Sequence, residues 1–309
     1  MILRPLAPED VTEHADLLYV SFNFWYWKHG WGRDYFTCNP HDTAIFYQIY
    51  NDLSPDCSIA AFEAKSGRMM GACFYHPREH HVSLGIMSVH PNYLGKGVGR
   101  ALVNHITDYT DNNGYKACRI ASSAINMDSF SLYNRSGFVP RVVHQDMVLT
   151  VPEAGLAAAP FAGQERVREA TLADVAGMGE LEMAVSNIRR EQDYRYAIDN
   201  PRAVLHAAVY ENDQQTIDGF MISVQHPALN MLGPCVARSE EVALALIRNE
   251  LERFRGTWAL FVVPMQKRMM VEQLYQWGAV NVETHLFSVR GEFREFNGVN
   301  MPSFLPETG

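Results

Sequence analysis

Cysteine is scarce in this chain of 309 residues: Cys38, Cys57, Cys73, Cys118 and Cys235 are odd in number, scattered, and form no C-x-x-C pair. Such spacing suggests neither a disulfide framework nor a zinc knuckle, and no metal site is expected; buried free thiols are. Positive charge is also in deficit, with 26 Lys and Arg against 35 Asp and Glu and a formal net charge of −9. Nucleic acid and anionic membrane surfaces reward clustered Lys and Arg, so neither is expected as a partner, whereas a cationic substrate would be welcome. No apolar run approaches the roughly 20 residues that span a bilayer, and the opening MILRPLAPEDV has no basic-then-apolar targeting pattern. A cytoplasmic protein is the expectation.

What the chain does have is apolar content, 47% hydrophobic residues against 20% charged, enough for a sizeable core at a length that favours two domains. The stretch TVPEAGLAAAPFAGQ, Thr150 to Gln164, carries a single charge and no periodicity, and reads as a linker. On either side the chain starts in the same way. LRPLAPEDV (Leu3 to Val11) and VREATLADV (Val167 to Val175) each place a short strand with an Arg before a helix start. LYNRSGFVP (Leu132 to Pro140) and LYQWGAV (Leu274 to Val280) each close a helix with Leu-Tyr and a following Gly, then enter a strand. Two copies of one fold are expected, over residues 1–150 and 166–309, with 151–165 between them.

Within the first copy, RMMGACFYHP and HVSLGIMSV read as an antiparallel hairpin across REHH. Leu102, Ile106 and Tyr109 share a helical stripe that ends at NNG, KACRIASSA reads as a strand, and MDSFSLYNR as a short helix. The class is α/β in the α+β sense: a mixed, mostly antiparallel sheet with helices on both faces, made twice.

The segment with most to explain is SVHPNYLGKGVGRALV, Ser88 to Val103, which sets three glycines between a strand and a helix. A Walker loop would need Ser or Thr after the Lys, and none is there. A dinucleotide fingerprint would need G-x-G-x-x-G and an acidic residue closing the next strand; the spacing here is G-x-G-x-G and KACRIASSA has no carboxylate. A plain turn needs one residue of positive φ, not three, and glycine at a helix start costs about 0.5–1 kcal/mol relative to Ala. The remaining reading is a pyrophosphate cradle of backbone amides at a helix amino terminus, where the dipole and orphan donors favour an anion, with Lys96 and Arg100 beside it.

VHPNYLGKGVGRAL resembles the acyl-CoA loop of the GNAT acetyltransferase superfamily, and NMDSFSLYNRSGF (Asn126 to Phe138) is similar to that superfamily's second signature. The resemblance covers Met1 to about Thr150. It implies that the strands flanking the helix after the loop splay apart to admit the pantetheine arm of acetyl-CoA, the acyl donor. Met87 and Val89 would pair with the pantetheine amides, and the amides of Gly95, Lys96, Gly97, Val98, Gly99 and Arg100 would hold the pyrophosphate. Asn126 and Ser129 would bond the cofactor, and Tyr133 would serve as general acid for the leaving thiol. One departure is Leu94, where the superfamily has Gln or Arg, so one phosphate-directed side chain is missing.

The general base is not evident, because VSLGIMSV contains no carboxylate. His76, Glu79, His80 and His81 cluster at the hairpin mouth, with His81 the candidate base or member of a water chain. The aromatic stretches Phe22 to Phe36, with Gly30 and Gly32, and Phe46 to Tyr50 fit either an acceptor pocket for an apolar, aromatic or cationic amine, or packing between the copies. In the second copy MLGPCVARSEEVALALI keeps one glycine and opens its helix on Glu240 and Glu241, which repel a pyrophosphate, so a degenerate, non-catalytic domain is expected. The closing GVNMPSFLPETG reads as an extended tail packed by its apolar residues. The function expected is acetyl-CoA-dependent N-acetylation of a small-molecule amine by direct transfer. The alternatives are acetylation of a protein amino terminus or lysine, and a non-catalytic acyl-CoA sensor.

Overall fold

The computed structural model describes residues 1–29 and 32–307, so Gly30 of the aromatic stretch lies outside the described residues. Each half opens on the same local device. Arg4 of strand β1 (Ile2–Arg4) donates twice to the Asp10 carboxylate, at 2.6 and 2.9 Å, and Asp10 also accepts from the Ala7 amide at 2.8 Å. Arg168 of β7 (Val167–Glu169) does the same to Asp174, at 2.8 Å twice, and Asp174 accepts from the Thr171 amide at 2.7 Å. The carboxylate satisfies an orphan amide at a helix entrance and complements its dipole. Helices α1 (Val11–His29) and α5 (Val175–Ser186) follow directly.

The first half continues with α2 (Ala44–Leu53), β2 (Ser58–Phe62), β3 (Met69–Pro77), β4 (His81–Val89), α3 (Val98–Asn112), β5 (Ala117–Ser123), α4 (Met127–Arg135) and β6 (Val139–Thr150). The second repeats that order with α6 (Glu191–Asp199), β8 (Leu205–Glu211), β9 (Ile217–His226), β10 (Leu229–Ala237), α7 (Glu240–Leu251), β11 (Trp258–Pro264), α8 (Arg268–Gln276) and β12 (Val280–Gly291), and adds β13 (Val299–Met301).

All strands join one sheet in the order β1-β2-β3-β4-β5-β12-β6-β11-β10-β9-β8-β7, with β13 alongside β10. The order is unchanged when the halves are interchanged. Its centre is an exchange: β12 lies between β5 and β6, and β6 between β12 and β11, so each half completes its sheet with the other's last long strand. Pairing is antiparallel except for two short parallel contacts, β4 with β5 and β10 with β11.

Helices cover both faces, as expected from the sequence. On one face α1, α2, α5 and α6 enclose a single apolar cluster that runs from Leu18, Ile49 and Phe74 to Tyr194 and Phe220 and includes Leu305 of the tail. On the other face α3 and α4 cover one core and α7 and α8 another. Arg78 at the β3–β4 turn reaches Asp193 of α6 at 2.9 Å, both side chains almost wholly buried, tying the halves together. Among the described residues no helix is long and apolar enough to cross a membrane.

Candidate active site

Strands β4 and β5 pair only from His81 with Ala117 to Ser83 with Arg119, and then part. From Leu84 to Val89 the edge of β4 that faces β5 has no ladder partner, which leaves backbone donors and acceptors lining a gap. A bulge aids the opening, because between the Cys73–Met87 and Tyr75–Leu84 pairs Phe74 alone of β3 stands opposite both Gly85 and Ile86 of β4. Met87 and Val89 are half-buried there.

The glycine turn closes one end of the gap. Gly95 and Gly97 stand at φ +74° and +81°, and a Cβ on either would meet nothing within 4 Å. Their requirement is therefore conformational, and the face they leave bare opens outward. Gly97 caps α3 without a side-chain hydrogen bond, and the first turn of α3 has no acidic residue. The amides there remain orphan donors. Val98 turns its side chain into the core, whereas Lys96 and Arg100 are exposed, with Lys96 Nζ 4.9 Å from the Tyr93 ring. Arg100 and Arg135 share a groove of about 390 Å³ between α3 and α4 with Asp128 and Ser131. Arg135 was not singled out in the sequence. Leu94 is exposed at the mouth.

At the other end, Asn126 caps α4 by accepting from the Ser129 amide at 3.0 Å. One turn on, Tyr133 is buried with its ring edge-on to Phe138. Burial pushes the Tyr133 phenol well above its ordinary range, Cys73 and the carboxylate of Glu307 push it further, and a hydrogen bond with Ser129 works the other way. The phenol thus keeps its proton and is able to donate it in a hydrogen bond to sulfur as a C–S bond breaks.

His81 is in the wrong place for the role expected of it. It sits where β4 and β5 are still paired, six residues before Met87, which is roughly 20 Å along a strand. Burial, with Arg119, Arg78 and Arg190 adding to it, holds its imidazole well below the ordinary value. Its Nε2 is 3.2 Å from the Ser83 hydroxyl. His76 is likewise buried, held low, and bound to Ser54 at 3.0 Å.

A different set of ionisable groups gathers beside the end of β5, where His285 pairs with Ser123. Exchange of the last strands brings Asp146 from β6 beside Glu283 and His285 from β12, and the tail brings Glu307. The His285 Nδ1 is 2.9 Å from the Asp146 carboxylate. Burial alone lowers the imidazole, but Asp146, with Glu283 and Glu307 behind it, overrides this and lifts it to about 9. Burial also raises the Glu283 and Glu307 carboxyls, Glu307 to about 8, against the pull of His285. Asp146, Glu283 and His285 bring one ligand atom each within 4.8 Å of one another. The imidazole nitrogen nearest to them already serves an ion pair, and the set as built is a hydrogen-bonded charge cluster.

The aromatic stretch reaches the same cluster. Tyr26 donates to Glu283 at 2.7 Å and stacks on Tyr35 with centroids 4.6 Å apart. Phe22, Phe36 and Phe46 pack behind them. These rings join the halves, since Tyr26 of α1 bonds Glu283 of β12. Tyr50 of α2 donates to the Phe304 carbonyl at 2.8 Å, and the amides of Glu307 and Ile86 also address its oxygen. The signal for the acidic residues was there to be read: VHQDMV and NVETHLF each put a carboxylate and a histidine inside an apolar strand.

The corresponding gap of the second half is filled. After Met231–Leu260 and Leu232–Phe261, β10 and β11 part, and β13 pairs with β10 from Cys235 to Ala237. Gly233 permits the approach: at φ +136°, its Cβ would lie 2.7 Å from the Pro302 carbonyl oxygen. Helix α7 is capped by Ser239 and opens on Glu240 and Glu241. Tyr275, the counterpart of Tyr133, lies exposed with its hydroxyl on Gln145 at 2.7 Å.

A strand and helix order made twice, with the sheet of the first half splayed at a glycine-rich helix start, defines an acyl-CoA N-acyltransferase fold. Two family models match in tandem, the acetyltransferase (GNAT) family over residues 20–138 and an acetyltransferase (GNAT) domain over 180–296. The chain belongs to the GNAT acetyltransferase superfamily, whose members are acyltransferases that generally use acyl-CoA. Solved structures with the same fold include a candidate acetyltransferase from Pyrococcus horikoshii, with a TM-score of 0.76 at 14% identity over 99% of this chain and 95% of that one. A GCN5-related N-acetyltransferase from Sphaerobacter thermophilus matches with TM-score 0.62 at 16% identity over 96% and 98% of the two chains. A tandem GNAT protein from the clavulanic acid biosynthesis pathway matches with TM-score 0.60 at 15% identity over 94% and 98%. Among curated proteins, UPF0157 protein YqkA of Bacillus subtilis is 30% identical over 74 residues, 24% of this chain and only 21% of that protein's length.

Proposed function

We propose that the chain is an acetyl-CoA-dependent N-acetyltransferase that acts on a small-molecule amine by direct transfer in a ternary complex. The observation that carries this reading is the contrast between the two gaps. One is open and runs from bare glycines at a helix start to a buried tyrosine; the other is filled by β13. In this reading the first half is the catalytic domain and the second completes its site.

Acetyl-CoA supplies an activated acetyl thioester. The free edge of β4 at Met87 and Val89 takes the pantetheine amides as an added strand would. The amides of Gly95 and of Gly97 to Arg100 take the pyrophosphate, while the Lys96 amide is held by the Tyr93 carbonyl at 3.3 Å. The Lys96 and Arg100 side chains supply positive charge in place of the side chain that Leu94 lacks. Asn126 and Ser129 hold the arm near Tyr133. A β4 amide at the bulge stabilises the developing oxyanion, and Tyr133 protonates the departing sulfur. His81 has no part in the chemistry. A screen of amines with acetyl-CoA, read as thiol release, tests the reading: turnover of an amine that Tyr133→Phe slows supports it, and turnover unaffected by that change removes Tyr133 as the acid.

A further inference from the structure

Three carboxylates converge beside the end of β5, each from a different segment, and each is at least nine-tenths buried: Asp146 (3% exposed), Glu283 (6%) and Glu307 (9%). One base stands among them. His285 is paired to Asp146, and it is the opposite charge that acts on both Glu283 and Glu307. Glu283 accepts at Oε2 from the neutral Tyr26 hydroxyl, and its Oε1 has no hydrogen-bond partner among the described residues. Glu307 Oε2 has no hydrogen-bond partner among the described residues. A buried carboxylate without a counter-charge of its own is unfavourable by several kcal/mol, and such a group stays protonated until a cation arrives.

The position of Glu307 follows from Phe304, with which it forms a backbone bridge: the Phe304 carbonyl accepts from Tyr50 of α2 at 2.8 Å, and the Phe304 ring centroid lies 4.9 Å from that of His285. The charge of Glu307 also acts on Tyr35 and on Tyr133 of α4. Glu307 therefore sits beside Tyr50 and His285, with its charge felt at Tyr133. Glu283 lies against the stacked rings of Tyr26 and Tyr35, which favour a cation over a neutral group.

Building on the acetyl transfer proposed above, we propose that the acceptor is a small amine carrying a second positive charge, whose far cation rests on Glu283 and whose reacting nitrogen gives its proton to Glu307. One ammonium would offset one carboxylate, and two offset both. The amine enters as an ammonium, and pairing with it ionises Glu307, whose proton leaves to water; Glu307 then takes one proton from the reacting nitrogen. The freed lone pair forms the C–N bond at the acetyl carbon and the C–S bond breaks. The sulfur leaves with that electron pair and receives a proton from Tyr133, which regains one from the nitrogen. Glu307 ends protonated, as it began, so that ammonium and thioester become amide, thiol and one free proton.

The test compares short α,ω-alkanediamines with n-alkylamines of the same length, using the full chain and acetyl-CoA. The expected result is a kcat/KM about tenfold or more higher for the diamine, the equivalent of roughly 1.4 kcal/mol. Glu283→Gln should erase that preference. Glu307→Gln should lower kcat about 100-fold and remove one ionisation from its pH profile, whereas Glu307→Asp should keep the ionisation and part of the rate. Equal rates for diamine and monoamine, no turnover of either, or a parental kcat and pH profile in Glu307→Gln would each overturn the proposal. Acetyl-CoA calorimetry on every variant separates the failures. Binding without the amine preference sinks this inference alone, and absence of binding in the parent sinks the reading beneath it.

Discussion

His144 and His285 face one another across the β6–β12 ladder, on the axis that relates the two halves. They are counterparts in the two copies, yet burial lowers His144 to about 3 while Asp146 lifts His285 to about 9. The difference has a simple source. The residue that stands to His144 as Asp146 stands to His285 is Phe287. The halves share a fold but present different chemistry at the one place where they touch as equals.

The unliganded chain should show a pH-dependent stability traceable to Glu307. Its carboxyl is raised to about 8 when folded against an ordinary value near 4.5, so the folded state binds more protons between those limits, and stability falls as pH rises through that window. The difference in unfolding free energy between parent and Glu307→Gln should decline by up to about 1.4 kcal/mol per pH unit there. Urea denaturation at pH 5, 6 and 7 measures it; a flat difference would mean that the carboxyl ionises freely.

His285 gives a second window. Raised to about 9 from about 6.5, it contributes stability that is fully present below pH 6.5 and is lost as pH climbs through 9. Asp146→Asn removes its principal partner, so NMR titration of the imidazole should move down from about 9, with burial lowering it against the remaining pull of Glu283 and Glu307.

The glycine turn separates conformation from charge. Gly97→Ala meets no steric obstacle but must hold φ +81°, and should cost about 1 kcal/mol of stability with donor binding weakened. Gly97→Glu sets a carboxylate beside the amides that would hold a pyrophosphate. Calorimetry at millimolar acetyl-CoA should then register no binding.

The interleaved halves should unfold together. One apolar cluster spans both, and Arg78–Asp193 is a buried pair between them. Arg78→Met leaves Asp193 with only Arg190, 3.9 Å away, and should cost about 3–5 kcal/mol, read as a single shifted urea transition. Two separable transitions would show that the exchange does not couple the halves.

How much of this was legible in the sequence depended on distance along the chain. The paired starts at Leu3 and Val167 could be read because Arg4–Asp10 and Arg168–Asp174 are six-residue devices whose chemistry is local. The glycine turn and the helix at Asn126 were legible for the same reason. The exchange of β6 and β12 was not, since both strands present the same half-buried alternation and nothing local says which sheet edge each will meet. The acidic cluster followed the exchange into obscurity: Asp146 and Glu283 are 137 positions apart and Glu307 lies in the tail. The tail was expected to pack by its apolar residues, and Val299, Met301 and Leu305 are buried. That it also fills the second gap needed the topology.

The most direct measurement is calorimetric titration of the intact chain with acetyl-CoA. One open gap and one filled by β13 predict a single site per chain, lost in Gly97→Glu and retained in Tyr133→Phe. Two sites per chain, or no heat at millimolar donor, would contradict it.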